Sequence, residues 1–267
     1  MGSAVGAAAL AAGSRVLWAS EGRSGQTCQR AIAAGLEDAG TLGSLAQQSD
    51  VIVSVCPPHA ALDTANAVAG LAFQGVYIDA NATAPATTRA IAEIIQTKNC
   101  KFIDGGIIGP PPKKRGDARL YLSGAGAAEA AGLFTQGALE AIPLDAPVGA
   151  ASALKMAYAF WTKTSAALLI AVRALAESEG IESALLAEWQ KSQPDLPARS
   201  AAAISGNARK AWRFIGEMEE IAATFADAGL PTGFSLAARE IYQRLEQYKD
   251  ASAPPSVTQA ASALLGR

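Results

Sequence analysis

Residues 147–178 read PVGAASALKMAYAFWTKTSAALLIAVRALAES, with no Pro or Gly after Gly149 and almost every position a good helix former. At ~1.5 Å per residue such a helix extends on the order of 40 Å. Before it, short apolar runs alternate with helical ones; after it the pattern is helical throughout. The stretch therefore divides the chain into an α/β part, residues 1–146, and an all-α part, residues 147–267. Helical spacing gathers Ala151, Ser152, Tyr158, Ala159 and Thr162 around Lys155, a stripe of small and polar side chains that leaves room for a ligand. Leu154, Trp161, Leu168 and Leu175 share a more apolar face. The plain alternative for Lys155 is a solvated helix lysine.

The composition narrows the classes. Half of the 267 residues are hydrophobic and the net charge is −2, which suits a soluble chain with a substantial core and offers no basic block to hold nucleic acid. The longest apolar run in the long helix, residues 164–172, lies between Lys163 and Arg173 and reads as too short to cross a bilayer. With no N-terminal leader pattern, the expectation is a cytoplasmic protein without a membrane partner. Cys28, Cys56 and Cys100 are far apart and lack CxxC spacing, against a disulfide framework or a zinc site. The single histidine, His59, follows Pro57 and Pro58 where a helix should begin. One histidine and scattered acids leave no material for a metal site or a Ser-His-Asp arrangement, so an enzymatic acid/base group must be something else.

In chain order, residues 1–13 read as a small-residue helix and 15–19 (RVLWA) as a short buried strand. Helices are expected over 26–34, 41–48, 58–69, 84–98 and 127–138, and strands over 50–56, 76–79, 101–104, 119–123 and 141–144. The alternation predicts a Rossmann-type, doubly wound and mostly parallel sheet covered on both faces. Ligands bind such sheets at the carboxyl ends of the strands, so the loops 20–24, 56–58, 80–85 and 105–117 should line one crevice.

A dinucleotide-binding unit opens with a strand, then G-x-G-x-x-G, then a helix whose backbone amides cradle the pyrophosphate. Here the helix is present, with Gly2 and Ser3 in its first turn and Gly6 one turn on, while the first strand and two glycines are missing. Either the chain start was cut or assigned too late, or another segment fills that place. After the second strand, an acidic residue would take the ribose 2′-hydroxyl of NAD and an arginine the 2′-phosphate of NADP. Arg23 supplies a planar donor fork and Ser24 a hydroxyl, which favours NADP, while Glu21 pulls toward NAD.

Together these residues resemble the 3-hydroxyacid dehydrogenase and 6-phosphogluconate dehydrogenase superfamily, in particular its phosphogluconate-dehydrogenase-like members with a distinctive helical C-terminal domain. MGSAVG looks like the tail of the family's G-x-G-x-M-G turn, and VSVCPPHAAL resembles the segment that runs along ribose and nicotinamide, which implies Val55, Cys56 and Pro57 as cofactor contacts. IDANATAP resembles the D-x-[ST]-T-x-S-P segment and implies Asn81 and Thr83 near the nicotinamide. GAASALKMAY resembles the G-x-G-x-x-x-K-x-x-N helix, which implies Lys155 as the catalytic lysine, with Ser152 beside the substrate. Residues 209–245 are similar to the C-terminal domain of that subgroup.

Departures from the family pattern bear on the substrate. Where members carry D-x-P-V-S-G-G, whose serine holds a substrate carboxylate, this chain has Asp104-Gly105-Gly106-Ile107-Ile108-Gly109-Pro110, and Ile108 cannot donate that hydrogen bond. Tyr158 stands where the asparagine is expected, as a second catalytic candidate that orients the substrate oxygen or replaces the amide. Ile107, Ile108, Gly109, Ser152 and Trp212 are the substrate candidates. The loop 109–117, GPPPKKRGD, meets an anion or a partner subunit, or is simply solvated.

The chemistry stands without the family. Interconverting an alcohol and a ketone needs a base for the hydroxyl proton and an acid at the carbonyl oxygen. A lysine does both once desolvation brings it from ~10.4 to roughly 7–8. The expectation is an NADP-dependent oxidoreductase acting on a small carbonyl or alcohol, dimeric through the apolar face of its long helix. The alternatives are a non-catalytic, cofactor-binding scaffold and a reductase of imines, whose substrate needs no carboxylate clamp.

Overall fold

The computed structural model describes all of residues 1–267, as two compact units, Met1–Met156 and Ala157–Arg267. The boundary expected at residue 146 lies where the last strand gives way to the long helix; the division into units falls ten residues later, inside that helix.

The first unit runs α1 (Gly2–Ala11), β1 (Leu17–Trp18), α2 (Gly25–Ala33), β2 (Glu37–Asp38), α3 (Leu42–Gln47), β3 (Val51–Ser54), α4 (Ala61–Ala69), β4 (Val76–Asp79), α5 (Pro85–Gln96), β5 (Lys101–Ile108), β6 (Ala118–Ser123), α6 (Ala127–Ala131) and β7 (Leu139–Pro143), then enters α7 (Ala150–Ser178). Side chains of two helices cap their own first turns, with Ser24 accepting from Thr27 N and Thr41 from Ser44 N. The strands form a five-stranded sheet in sequential order β3 to β7, parallel except for the antiparallel β5–β6 pair, and a separate parallel pair, β1–β2. The β1–β2 pair shares no hydrogen-bonded ladder with the five-stranded sheet.

Alternation along the strands divides the core. Tyr77 and Phe102 face α4 and α5 together with Val68, Ile91 and Ile95, while Ile78, Ile103 and Leu120 face the other way with Val5, Ala8 and Phe134. Apolar side chains thus cover both faces, as a mostly parallel sheet requires. Two elements differ from the expectation. β2 is made of two exposed acids, Glu37 and Asp38, which no hydrophobic pattern marks; its partner β1 defines it. And β5 continues to Ile108 instead of ending at Asp104, because β6 turns back against it and supplies backbone partners for residues 104–108. The expected 105–117 loop is therefore strand up to Ile108 and turn beyond it.

The second unit holds the rest of α7 and the helices α8 (Glu182–Ser192), α9 (Leu196–Asn207), α10 (Ala211–Asp227), α11 (Gly233–Arg244) and α12 (Val257–Leu265). By length and composition α7 is long and apolar enough to cross a bilayer, which corrects the reading from its longest apolar run. Lys163 and Arg173 on it, however, are paired within the second unit. Lys163 Nζ meets Glu217 Oε2 at 2.7 Å, and the buried Arg173 pairs with Glu182 and donates to Ser200 Oγ. Tyr242, fully buried, lies edge-on to Phe214 and donates its hydroxyl to the Lys163 carbonyl at 2.7 Å. Tyr242→Phe removes that bond and nothing else, so urea unfolding should show a loss of about 1 kcal/mol with an unchanged denaturant slope.

Candidate active site

Ser54, Asp79 and Asp104 stand side by side where β3 and β4 reach their carboxyl ends and β5 runs on past them. Just beyond them the chain forms a clamp. Asn81 Oδ1 accepts from Cys56 N at 2.6 Å, Asn81 Nδ2 donates to Ser54 Oγ at 2.9 Å, and Asn81 N donates to Asp79 Oδ1 at 2.9 Å. Asn81, foreseen as a nicotinamide contact, is thus buried and employed in holding the Val55-Cys56-Pro57 turn against the end of β4. Burial pushes the Cys56 thiol up, against the hydrogen bonds it makes with Thr64 and Ser54.

The start of α1 faces the same turn. A Cβ on Gly2 would lie 3.8 Å from the Val55 side chain and carbonyl, and no side chain caps the helix, so the amides of Gly2 and Ser3 remain for a ligand. Arg23 and Ser24 are exposed, with Ser24 Oγ at the N-cap of α2 and Arg23 beside it. An uncapped helix start and a clamped turn beyond the strand ends fit the pyrophosphate and the nicotinamide end of a dinucleotide.

Lys155 joins this edge through a glycine. A Cβ on Gly106 would come 2.5 Å from the Ala151 carbonyl and 3.1 Å from Lys155 Cβ, so β5 passes against the first turns of α7 at a distance only glycine permits. Gly105 is just as confined, 2.9 Å from the Asp79 carbonyl. Alternation then separates the two isoleucines. Ile107 packs with Leu120 in the core, whereas Ile108 shares the strand face of Asp104 and Gly106 and follows directly on from the lysine's seat. Gly109 makes the reversal into β6, at φ +121° and with a would-be Cβ 2.4 Å from the Asp117 carbonyl. Ser152 is buried and its hydroxyl donates to Asp104 Oδ1 at 2.6 Å, so it serves the fold directly. Tyr158 is 46% exposed one turn further along α7. Trp212 belongs to the second unit, half-buried, with Lys249 and Arg213 over its ring at 4.5 and 5.0 Å.

The residues that the sequence did not single out are the buried polar ones, Thr88, Ser123 and the paired-register carboxylates Asp79 and Asp104. Their signal was faint but present: an acid closing each of two apolar strands, VYID and KFID. Asp79 is 2% exposed, accepts one bond on Oδ1 and has no partner on Oδ2. Burial, against the Asn81 hydrogen bonds, pushes its carboxyl up to about 6.

The fold and this edge define a dinucleotide-binding domain continued by a helical one. The chain belongs to the family of the NAD binding domain of 6-phosphogluconate dehydrogenase, which it matches over residues 1–135, and residues 176–245 match a domain of unknown function, DUF1932. An uncharacterized 28.5 kDa protein of Methanothermus fervidus is 32% identical over 169 residues; the match covers 62% of this chain and 63%, just under two thirds, of that relative. A conserved hypothetical protein from Sinorhizobium meliloti 1021 superposes with a TM-score of 0.71 at 27% identity, covering 98% of this chain and 91% of the other. The 3-hydroxyisobutyrate dehydrogenase of Salmonella typhimurium shares the fold at 16% identity (TM-score 0.70; 98% and 95% covered), as does an imine reductase of Streptomyces aurantiacus at 21% (TM-score 0.52; 99% and 95% covered).

Because the folded-state value of Asp79 lies above the unfolded ~3.9, the folded chain binds the extra proton, and stability should fall by about 3 kcal/mol as pH rises from ~4 through ~6. Asp79→Asn keeps the acceptor for Asn81 N and should flatten this slope, leaving the variant the more stable at pH 7 in chemical denaturation at both pH values.

Proposed function

We propose that this chain is an NADP-dependent oxidoreductase that moves hydride to or from a small carbonyl or alcohol, with Lys155 as general acid/base. The observation that carries the reading is the seat of Lys155 against Gly106, on the strand that runs past the carboxyl ends of β3 and β4. When bound, the nicotinamide supplies or takes the hydride. The protein's part is to hold and to move a proton. The Gly2 and Ser3 amides hold the pyrophosphate, Arg23 and Ser24 the 2′-phosphate, and the turn clamped by Asn81 lies along the nicotinamide. In reduction, Lys155 Nζ gives its proton to the oxygen that becomes the alcohol; in oxidation the neutral amine takes it back. Tyr158 orients that oxygen.

Ile108 favours a second reading at the same site. It puts an apolar side chain on the lysine's strand face, where nothing would bind a carboxylate, and a neutral imine would be accommodated as well as a ketone. The dehydrogenase and imine reductase that share the fold support both. A non-catalytic scaffold is the outcome if no cofactor binds.

The partner assigned is a second copy of the chain, in the cytoplasm. Leu154, Trp161, Leu168 and Leu175 recur every seven residues on α7 and are all exposed, a stripe that an identical helix would cover. Light scattering should give twice the chain mass, and Trp161→Glu the single mass.

Fluorescence titration should show NADPH binding tighter than NADH, with Arg23→Glu weakening NADPH by roughly tenfold and leaving NADH nearly unchanged. In a screen of ketones and cyclic imines, Lys155→Met should lower kcat by about 10²–10⁴ while NADPH affinity stays within a few-fold. Undiminished turnover would remove the lysine from the mechanism.

A further inference from the structure

The start of α7 has a glycine where a helix ordinarily carries its capping side chain. Gly149 stands at φ +100°, a conformation that strains a serine or aspartate in its place. The cap arrives from the sheet instead. Asp104 Oδ2 accepts from Gly149 N at 2.9 Å and Ser152 N at 3.1 Å. Ser123 Oγ accepts from Ala151 N at 3.0 Å and donates to the same Asp104 oxygen at 2.9 Å. Both capping side chains are fully buried.

The same carboxylate also stands at the end of a row of buried hydroxyls. A carboxylate only accepts, so Ser152 Oγ must spend its proton on Asp104 Oδ1. Ser152 Oγ also lies 2.9 Å from Thr88 Oγ1, which in turn lies 3.0 Å from Thr83 Oγ1 and donates to the Ala84 carbonyl at 3.2 Å. The row ties the segment after β4 and the helix α5 to the first turn of α7.

We infer that Asp104, seconded by Ser123, is a positioning residue for Lys155. The lysine is three residues past the capped Ser152, and its Cβ rests against Gly106, two residues beyond Asp104 on the same strand face. Cap and seat are therefore one piece of strand, and the amine's position along the crevice is set by a carboxylate that never touches substrate. The inference rests on the reading of Lys155 as the acid/base group.

Hydrogen exchange of the 149–156 peptide, followed by mass spectrometry on the full chain, tests the cap without any substrate. Ser123→Ala should speed exchange there about fivefold, Asp104→Ala more than about tenfold, and Asp104→Asn, which keeps a carbonyl oxygen facing the same amides, less than about threefold. Ser123→Thr should restore the wild-type rate. The kinetic arm uses NADPH and whichever ketone or imine the wild type reduces, well below every variant's unfolding midpoint. There Ser123→Ala should lower kcat by about tenfold, with substrate KM and NADPH Kd within about twofold. If Asp104→Ala does not fold, the Ser123→Ala and Ser123→Thr pair decides alone. Unchanged exchange in the variants overturns the cap, and a kinetic loss that appears in KM or merely follows the folded fraction overturns the positioning role. Absence of NADPH binding by the wild type instead sinks the reading of Lys155, an outcome distinct from both.

Discussion

A single carboxylate joins the sheet to the helix that carries the proposed acid/base group. Asp104 accepts four hydrogen bonds, two from backbone amides at the start of α7 and two from hydroxyls, with no access to water. Each donor offsets part of the cost of burying charge, and the helix dipole adds to them because the group sits at an N-terminus. The glycines follow from this. Gly149 leaves the cap position open, Gly106 lets the strand approach the helix, and Gly105 lets β5 lie against the end of β4.

Asp79 shows the contrast. It is the register neighbour of Asp104, equally buried, at the same level of the sheet. Yet it receives one backbone amide and leaves an oxygen unpartnered, and its carboxyl is held toward the neutral form. Two acids one strand apart thus differ in the number of donors that reach them, four at Asp104 and one backbone amide at Asp79.

What was legible in the sequence is what hydrophobic period and helix formers determine. The long helix, the strands VIVS and VYID, and the helical second unit all follow from patterns local to each segment. Lys155 is a candidate because of its small-residue stripe, and Arg23 because of its place after an apolar run. The rest depended on partners distant in sequence. β2 is two acids that become a strand only by pairing with β1, and β5 runs four residues longer than its pattern because β6 returns beside it. Gly105-Gly106 looked like a departure from a family motif; its reason is steric and appears only once Ala151 and the Asp79 carbonyl are in place. The hydrogen bond of Ser152 is hidden from the sequence for a related cause, since nothing local reveals that its hydroxyl faces an acid 48 residues earlier.

The β1–β2 ladder is two residues long and stands apart from the main sheet. So short a ladder contributes little cooperativity of its own. An anion gripped by Arg23, in the loop after β1, would act as a splint. The pair would be firmest when loaded and most easily cut by protease when empty, so occupancy would govern the lifetime of the chain as well as its chemistry.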